Sequence, residues 1–223
     1  MGPLWGKNVL TVGAVDRLFI TFEGTEGSGK SVQARLLANR LRAAGRVVVE
    51  TREPGGTPLG LELRQILLGR GQLDISTRAE ALLMNASRAQ LVETVIRPAL
   101  ERDDVVVCDR FADSTLAYQG AGRGLGMDEL ASVIAFATAG LRPQLTLLLD
   151  VPVEVGLARK HAQAQGNRFE AETLAFHARV HSAYRSLVAA EPDRWRCFDA
   201  VSPVEQVAAQ IWDAVAARMG LLA

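Results

Sequence analysis

This chain of 223 residues is poor in cysteine, in lysine, in net charge and in long apolar runs. Its 2 cysteines, Cys108 and Cys197, each lie in a short apolar run that reads as an interior strand. They are expected as buried hydrophobes rather than a disulfide or metal pair, which suits a reducing cytoplasm. Because 25 basic residues balance 25 acidic ones, no whole-protein field draws the chain to nucleic acid or to an anionic membrane, and a small-molecule partner is favoured. No stretch approaches the ~20 apolar residues that cross a bilayer, and the N-terminus has neither the charged start nor the apolar core of a signal peptide. The basic residues are 22 Arg and 3 Lys, a balance that suits bidentate phosphate contacts and also a GC-rich genome.

Apolar content is ample. At 48% hydrophobic and without a linker-like stretch, residues 17–223 read as one domain, preceded by an extension, 1–16, that carries no motif. Short β-rich runs at 18–22, 47–51, 105–108, 145–150 and 196–198 alternate with helix-periodic stretches at 32–44, 76–101, 127–139, 170–190 and 203–219. Ser76 with Glu80, and Ser202 before Pro203, read as helix-start signals. The alternation predicts an α/β fold with a five-stranded parallel sheet covered by helices on both faces. Ligands of such sheets bind beyond the carboxyl ends of the strands.

Directly after the first strand stands Gly24-Thr25-Glu26-Gly27-Ser28-Gly29-Lys30-Ser31, which fits the phosphate-loop pattern G-x-x-x-x-G-K-[ST]. Glycines let successive N–H groups turn inward around a polyphosphate, Lys30 reaches its terminal phosphates, and the Ser31 hydroxyl is suited to ligate magnesium. Arg52-Glu53-Pro54-Gly55-Gly56-Thr57 follows the second strand and Asp109-Arg110 the third. Charged residues at these points serve a ligand better than they serve packing.

Together with Phe22-Glu23-Gly24, Ser87-Arg88-Ala89-Gln90-Leu91 and Asp109-Arg110-Phe111-Ala112-Asp113-Ser114-Thr115-Leu116-Ala117-Tyr118-Gln119-Gly120, these motifs resemble the thymidylate kinase family. The likeness runs from about residue 18 to the C-terminus and implies a three-layer P-loop NTPase fold that passes the γ-phosphoryl group of ATP to dTMP, with Mg2+, as a cytoplasmic homodimer. The chemistry agrees with the residues. A phosphomonoester with a second pKa of about 6 is already a nucleophile near neutral pH, so cations rather than a strong base are required.

By resemblance, Arg52 and Arg110 clamp the acceptor phosphate, with Arg64 assisting. Asp109 stands near magnesium, with Glu53 beside it. Glu26 meets the 3'-hydroxyl of the acceptor sugar, and Tyr118 fills the space of a ribose 2'-hydroxyl. Arg88, Thr115 and Gln119 match positions around the thymine base. Bland alternatives remain open for several: a salt bridge for Glu53 and Asp109, a surface position for Arg64, packing for Tyr118 and Gln119.

Two features depart from the family. Met84 stands where relatives often stack a phenylalanine on thymine, which leaves a nucleoside monophosphate kinase of other base preference as a rival; a catalytically silent nucleotide-binding protein is the other. The second departure is in the lid: relatives whose phosphate loop lacks an arginine, as here with Gly27, typically bring arginines from a lid at about 159–168, and here Gln163 occupies one position where arginine is expected. The candidates are Arg159, Lys160 and Arg168, with Arg159 the expected transfer-site cation and Arg168 a phosphate or lid-anchoring contact.

Overall fold

The computed structural model describes residues 17–69, 73–162 and 168–221. The 1–16 extension and Gln163 lie outside the described residues. Five strands, β1 (Phe19–Glu23), β2 (Val48–Arg52), β3 (Val105–Asp109), β4 (Leu145–Asp150) and β5 (Trp195–Asp199), form one sheet in the order β2-β3-β1-β4-β5. Every neighbouring pair is parallel. Side-chain alternation along the central strands divides the core in two. Phe19, Val106, Cys108 and Leu148 face one side, and Ile20, Phe22, Val107, Leu147 and Leu149 face the other.

The second side is closed by α1 (Lys30–Ala43) and α9 (Val204–Met219), which bury Leu37, Leu41, Ile211 and Val215. On the first side lie α3 (Thr77–Leu91), α6 (Met127–Thr138) and α8 (Leu174–Ala190). Helix α2 (Pro58–Leu68) packs on α3, whose path runs on through a wide π-helical turn (Val92–Ile96) into α4 (Arg97–Glu101). Helix α5 (Ala112–Thr115) opens into a second π-helical turn, Leu116–Gly122. Helix α7 (Val153–His161) follows β4.

Two expectations are corrected. Cys108 is buried, but Cys197 is exposed, because β5 is an edge strand that pairs only with β4, and an apolar run by itself cannot tell an edge from an interior strand. The last-but-one helix begins at Leu174 instead of near 170: Thr173 Oγ1 accepts from the Phe176 N–H at 3.2 Å and fixes the start, while Glu170 is turned to an ion pair with Lys160.

Since the chain goes from β1 outward to β2 and β3 on one side and then to β4 and β5 on the other, the connections diverge beside β1. That divergence opens a crevice at the carboxyl edge of the sheet. The phosphate loop lies there.

Candidate active site

A cavity of about 810 Å³ occupies this crevice, a size suited to nucleotide-class ligands. Its donor end is the phosphate loop. Gly24, Gly27 and Gly29 hold φ of 139°, 68° and 88°, values that L side chains rarely adopt. Gly27 is doubly required: a Cβ there would stand 2.0 Å from the Gly156 carbonyl oxygen on α7, and a Cβ on Gly156 would stand 2.3 Å from the Glu26 carbonyl oxygen. Backbone meets backbone, so this loop has no room for the arginine that Gly27 replaces.

Lys30 folds back over the loop and donates to the carbonyls of Gly24 at 3.0 Å and Thr25 at 2.6 Å, and to Ser28 Oγ at 3.0 Å. Burial, with Arg110 nearby, lowers its pKa to about 7. Beside it, the Ser31 hydroxyl donates to Asp109 Oδ2, which joins the first turn of α1 to the end of β3. Both are hard oxygen donors at the mouth of the loop. Among the described residues no cluster of three acidic, His or Cys side chains could hold a metal without help, so the pair fits a magnesium ion carried largely by substrate phosphates.

The same cavity is lined by three guanidiniums, of Arg52, Arg64 and Arg110. Arg64 is fixed by a 2.8 Å bond from its Nη1 to the Pro54 carbonyl, and burial together with Arg52 lowers its pKa. Arg110 sits at φ 70°, a left-handed conformation uncommon for a non-glycine residue, held by its amide bond to the Phe22 carbonyl at 2.9 Å. Its guanidinium donates to Ser114 Oγ, to the hydroxyls of Tyr118 and Tyr184, and to Glu26 Oε1 at 3.2 Å.

Glu26 therefore has partners of its own inside a phosphate-binding loop. The Tyr118 hydroxyl lies 2.8 and 2.7 Å from its two oxygens, and the buried His177 ring places Nδ1 3.6 Å from Oε2. Burial alone would raise the carboxyl, but His177, Arg110, Lys30 and Tyr118 outweigh it and hold the pKa at about 2.

Glu53 is buried against Arg88, with Oε2 2.7 Å from Nη2. Burial outweighs that partner and pushes the Glu53 carboxyl up to about 7. Its carboxylate orients the Arg88 guanidinium, and its N–H donates to the Asp109 carbonyl at 2.9 Å. Arg88 also donates to Asn85, Thr115 and the Phe111 carbonyl, so it enters the cavity on a fixed bearing. Met84, Thr115 and Gln119 line the same end, together with Phe169.

The expected lid residues are redistributed. Arg159 lines the cavity with Ser202 and Val204 and donates from Nη1 to the Ala200 carbonyl at 2.8 Å, which ties it to the β5–α9 loop. The reason is its place on α7: the Gly27–Gly156 contact sets this helix beside the loop, and Arg159, three residues on, turns toward β5. Arg168 pairs with Glu80, a contact that anchors this side of the expected lid.

Sequence reasoning missed several participants. Glu23, fully buried at the end of β1, accepts from the Phe111 N–H, Ser114 Oγ and Tyr184 Oη at 2.8, 2.6 and 2.8 Å, and so holds the Asp109-Arg110 corner. Burial and Asp113 raise its pKa. Its signals were its place in the Phe22-Glu23-Gly24 motif and at the end of a buried strand, and neither named its partners. Tyr184 and His177, inside α8, had none. Glu80 read as a first-turn helix signal; Ser76 does cap α3, but the Glu80 side chain is buried and bound to Gln119 and Arg123.

Residues 22–211 match the thymidylate kinase family. The thymidylate kinase of Deinococcus radiodurans is 51% identical over 201 residues, covering 90% of this chain and 97% of that protein. That of Thermomicrobium roseum is 54% identical over 198 residues, covering 88% and 93%. Among solved structures, the thymidylate kinase of Ehrlichia chaffeensis superposes with a TM-score of 0.72 at 30% identity, over 89% of this chain and 98% of that one. The chain belongs to the thymidylate kinase family, and its sheet is that of a P-loop NTPase.

Proposed function

We propose that this kinase transfers the γ-phosphoryl group of ATP to dTMP, giving dTDP and ADP. The observation that carries the reading is a single cavity lined both by a lysine-bearing phosphate loop and by the Arg52, Arg64 and Arg110 guanidiniums. Two polyanions are thereby held facing each other, and proximity with charge neutralisation is most of what phosphoryl transfer demands. Lys30, released from the loop carbonyls, serves the β and γ phosphates. Arg110 and Arg52 take the acceptor phosphate, whose oxygen needs no strong base near neutral pH. Mg2+, when bound with ATP at Ser31 and Asp109, supplies charge neutralisation on the phosphate oxygens.

Tyr118 is held rigidly by Glu26 and Arg110, so its ring excludes a 2'-hydroxyl by volume, while the Glu26 carboxylate serves the 3'-hydroxyl. Arg88, Thr115 and Gln119 read the base and Met84 covers it. The assay is ADP release with each of dTMP, dUMP, UMP, CMP, AMP and GMP; strong turnover is expected only with dTMP, and activity with none of them would reject the reading.

The protein acts in the cytoplasm, in keeping with unpaired Cys108 and Cys197 and with the absence, among the described residues, of a helix long and apolar enough to cross a membrane. It acts as a homodimer. Helix α3 packs between α2 and α6, and the three helices expose Leu59, Leu82 and Phe136, one from each, the last at 90%, apolar surface that a second copy would cover. Light scattering should give twice the chain mass; a monomer at micromolar concentration would argue otherwise.

A further inference from the structure

We propose that Glu80 sets the base specificity of the acceptor site by fixing which end of the Gln119 amide faces the bound pyrimidine. The inference rests on the reading of this cavity as a nucleoside monophosphate site and adds to it a residue that lines no part of the cavity. Glu80, on α3, is 1% exposed. Three side chains converge on it: Gln119 Nε2 at 2.7 Å, Arg123 at 3.2 Å, and Arg168. A carboxylate between two guanidiniums has only acceptors to offer. Gln119 must therefore turn its NH2 toward Glu80.

The other end of the amide follows from that. Gln119 is 2% exposed and lines the cavity, and no donor among the described residues reaches its Oε1. The oxygen is left to the ligand as an acceptor. Arg88 lines the same cavity and bonds Thr115, four residues before Gln119 on the same helical segment. Its Nε serves Glu53, its Nη2 serves Glu53, Phe111 and Thr115, and one Nη1 hydrogen serves Asn85, which leaves a single Nη1 hydrogen as donor.

A fixed donor beside a fixed acceptor is complementary to the O4 and N3–H edge of thymine or uracil. Cytosine presents the reverse order, an amino donor at N4 and an acceptor at N3, and leaves buried groups facing like groups. If Gln119 could turn over, that contrast would weaken. Glu80 is thus a positioning residue whose loss relaxes selectivity rather than only lowering rate.

The test compares wild type, Glu80→Gln and Glu80→Asp as full chains, by ADP release with dTMP and with dCMP at saturating ATP. In Glu80→Gln, residue 80 offers donor and acceptor alike, and the ratio of kcat/KM for dTMP over dCMP is expected to fall about tenfold while the KM for ATP stays within about twofold. In a Gln119→Leu background the same change should move the ratio less than about twofold, since the effect passes through that amide. Glu80→Asp keeps the carboxylate and should hold the ratio within about threefold of wild type. Equal losses with both acceptors would show a purely structural Glu80 and overturn the proposal, as would a ratio that collapses in Glu80→Asp, the variant that decides the matter if Glu80→Gln does not fold. Wild type inactive with dTMP would instead reject the kinase reading itself, whereas wild type selective for dTMP with an unmoved Glu80→Gln ratio rejects Glu80 alone.

Discussion

The phosphate loop and the charge network around Arg110 are built on opposite plans. In the loop, Lys30 bonds partners two, five and six residues away, and the backbone takes its shape from glycine. In the network, Tyr118 meets Glu26 across 92 positions and Tyr184 meets Glu23 across 161. A local loop is held by its own backbone, so changing its cation should cost chemistry and little stability. A buried network of distant charges loses both together, because each partner removed leaves another uncompensated.

Arg110→Ala should show the largest effect. It strips Glu26, Tyr118, Ser114 and Tyr184 of a shared donor, and a loss of about 3–5 kcal/mol in urea unfolding is expected along with activity. A variant as stable as wild type would break the comparison. Lys30→Ala is the counterpart: kcat should drop about 10²–10³-fold while the unfolding free energy moves by no more than about 1 kcal/mol.

The pH dependence of Glu26 sharpens the contrast. Its folded pKa of about 2 lies below the unfolded 4.5, so its stabilising contribution is fully present above about pH 4.5 and is lost as pH falls through 2. The destabilisation caused by Glu26→Gln, about 3 kcal/mol near neutrality, should therefore shrink as pH drops from 4.5 toward 2. A pH-independent difference in urea midpoint would mean that the carboxylate charge is not what matters.

The smallest effect is expected at the lid-side helix. Because Arg159 is tied to the Ala200 carbonyl, Arg159→Ala should raise the KM for ATP a few-fold and leave kcat within about threefold, the pattern of an interaction made equally in ground and transition states. A kcat loss of a hundredfold or more would return Arg159 to the transferring group.

The alternation of five apolar runs with helical periods was legible in the sequence because both signals are local, and so was the phosphate loop. Arg88, Arg110, Tyr118 and Gln119 were legible only through the motifs that carry them. Glu23 left a faint trace, while Tyr184, His177 and the Glu80 cluster left none, since a polar residue in a helix looks alike whether it meets water or a distant ion pair. Cys197 misled for the reciprocal reason: strand composition does not report which strand lies at an edge.

The sequence alone determined the phosphate loop, because a glycine loop, a lysine and a hydroxyl at fixed spacing leave the backbone few other shapes, and the motifs around it carried the resemblance to the thymidylate kinase family. Only the tertiary structure decided that Gly27 is locked against Gly156, that Glu53 serves Arg88 and Arg168 serves Glu80, and that Arg159 turns to Ala200. Those pairings join residues far apart in the chain. Buried charge goes to whichever partner the packed helices bring within reach, and that choice is made by the whole fold at once.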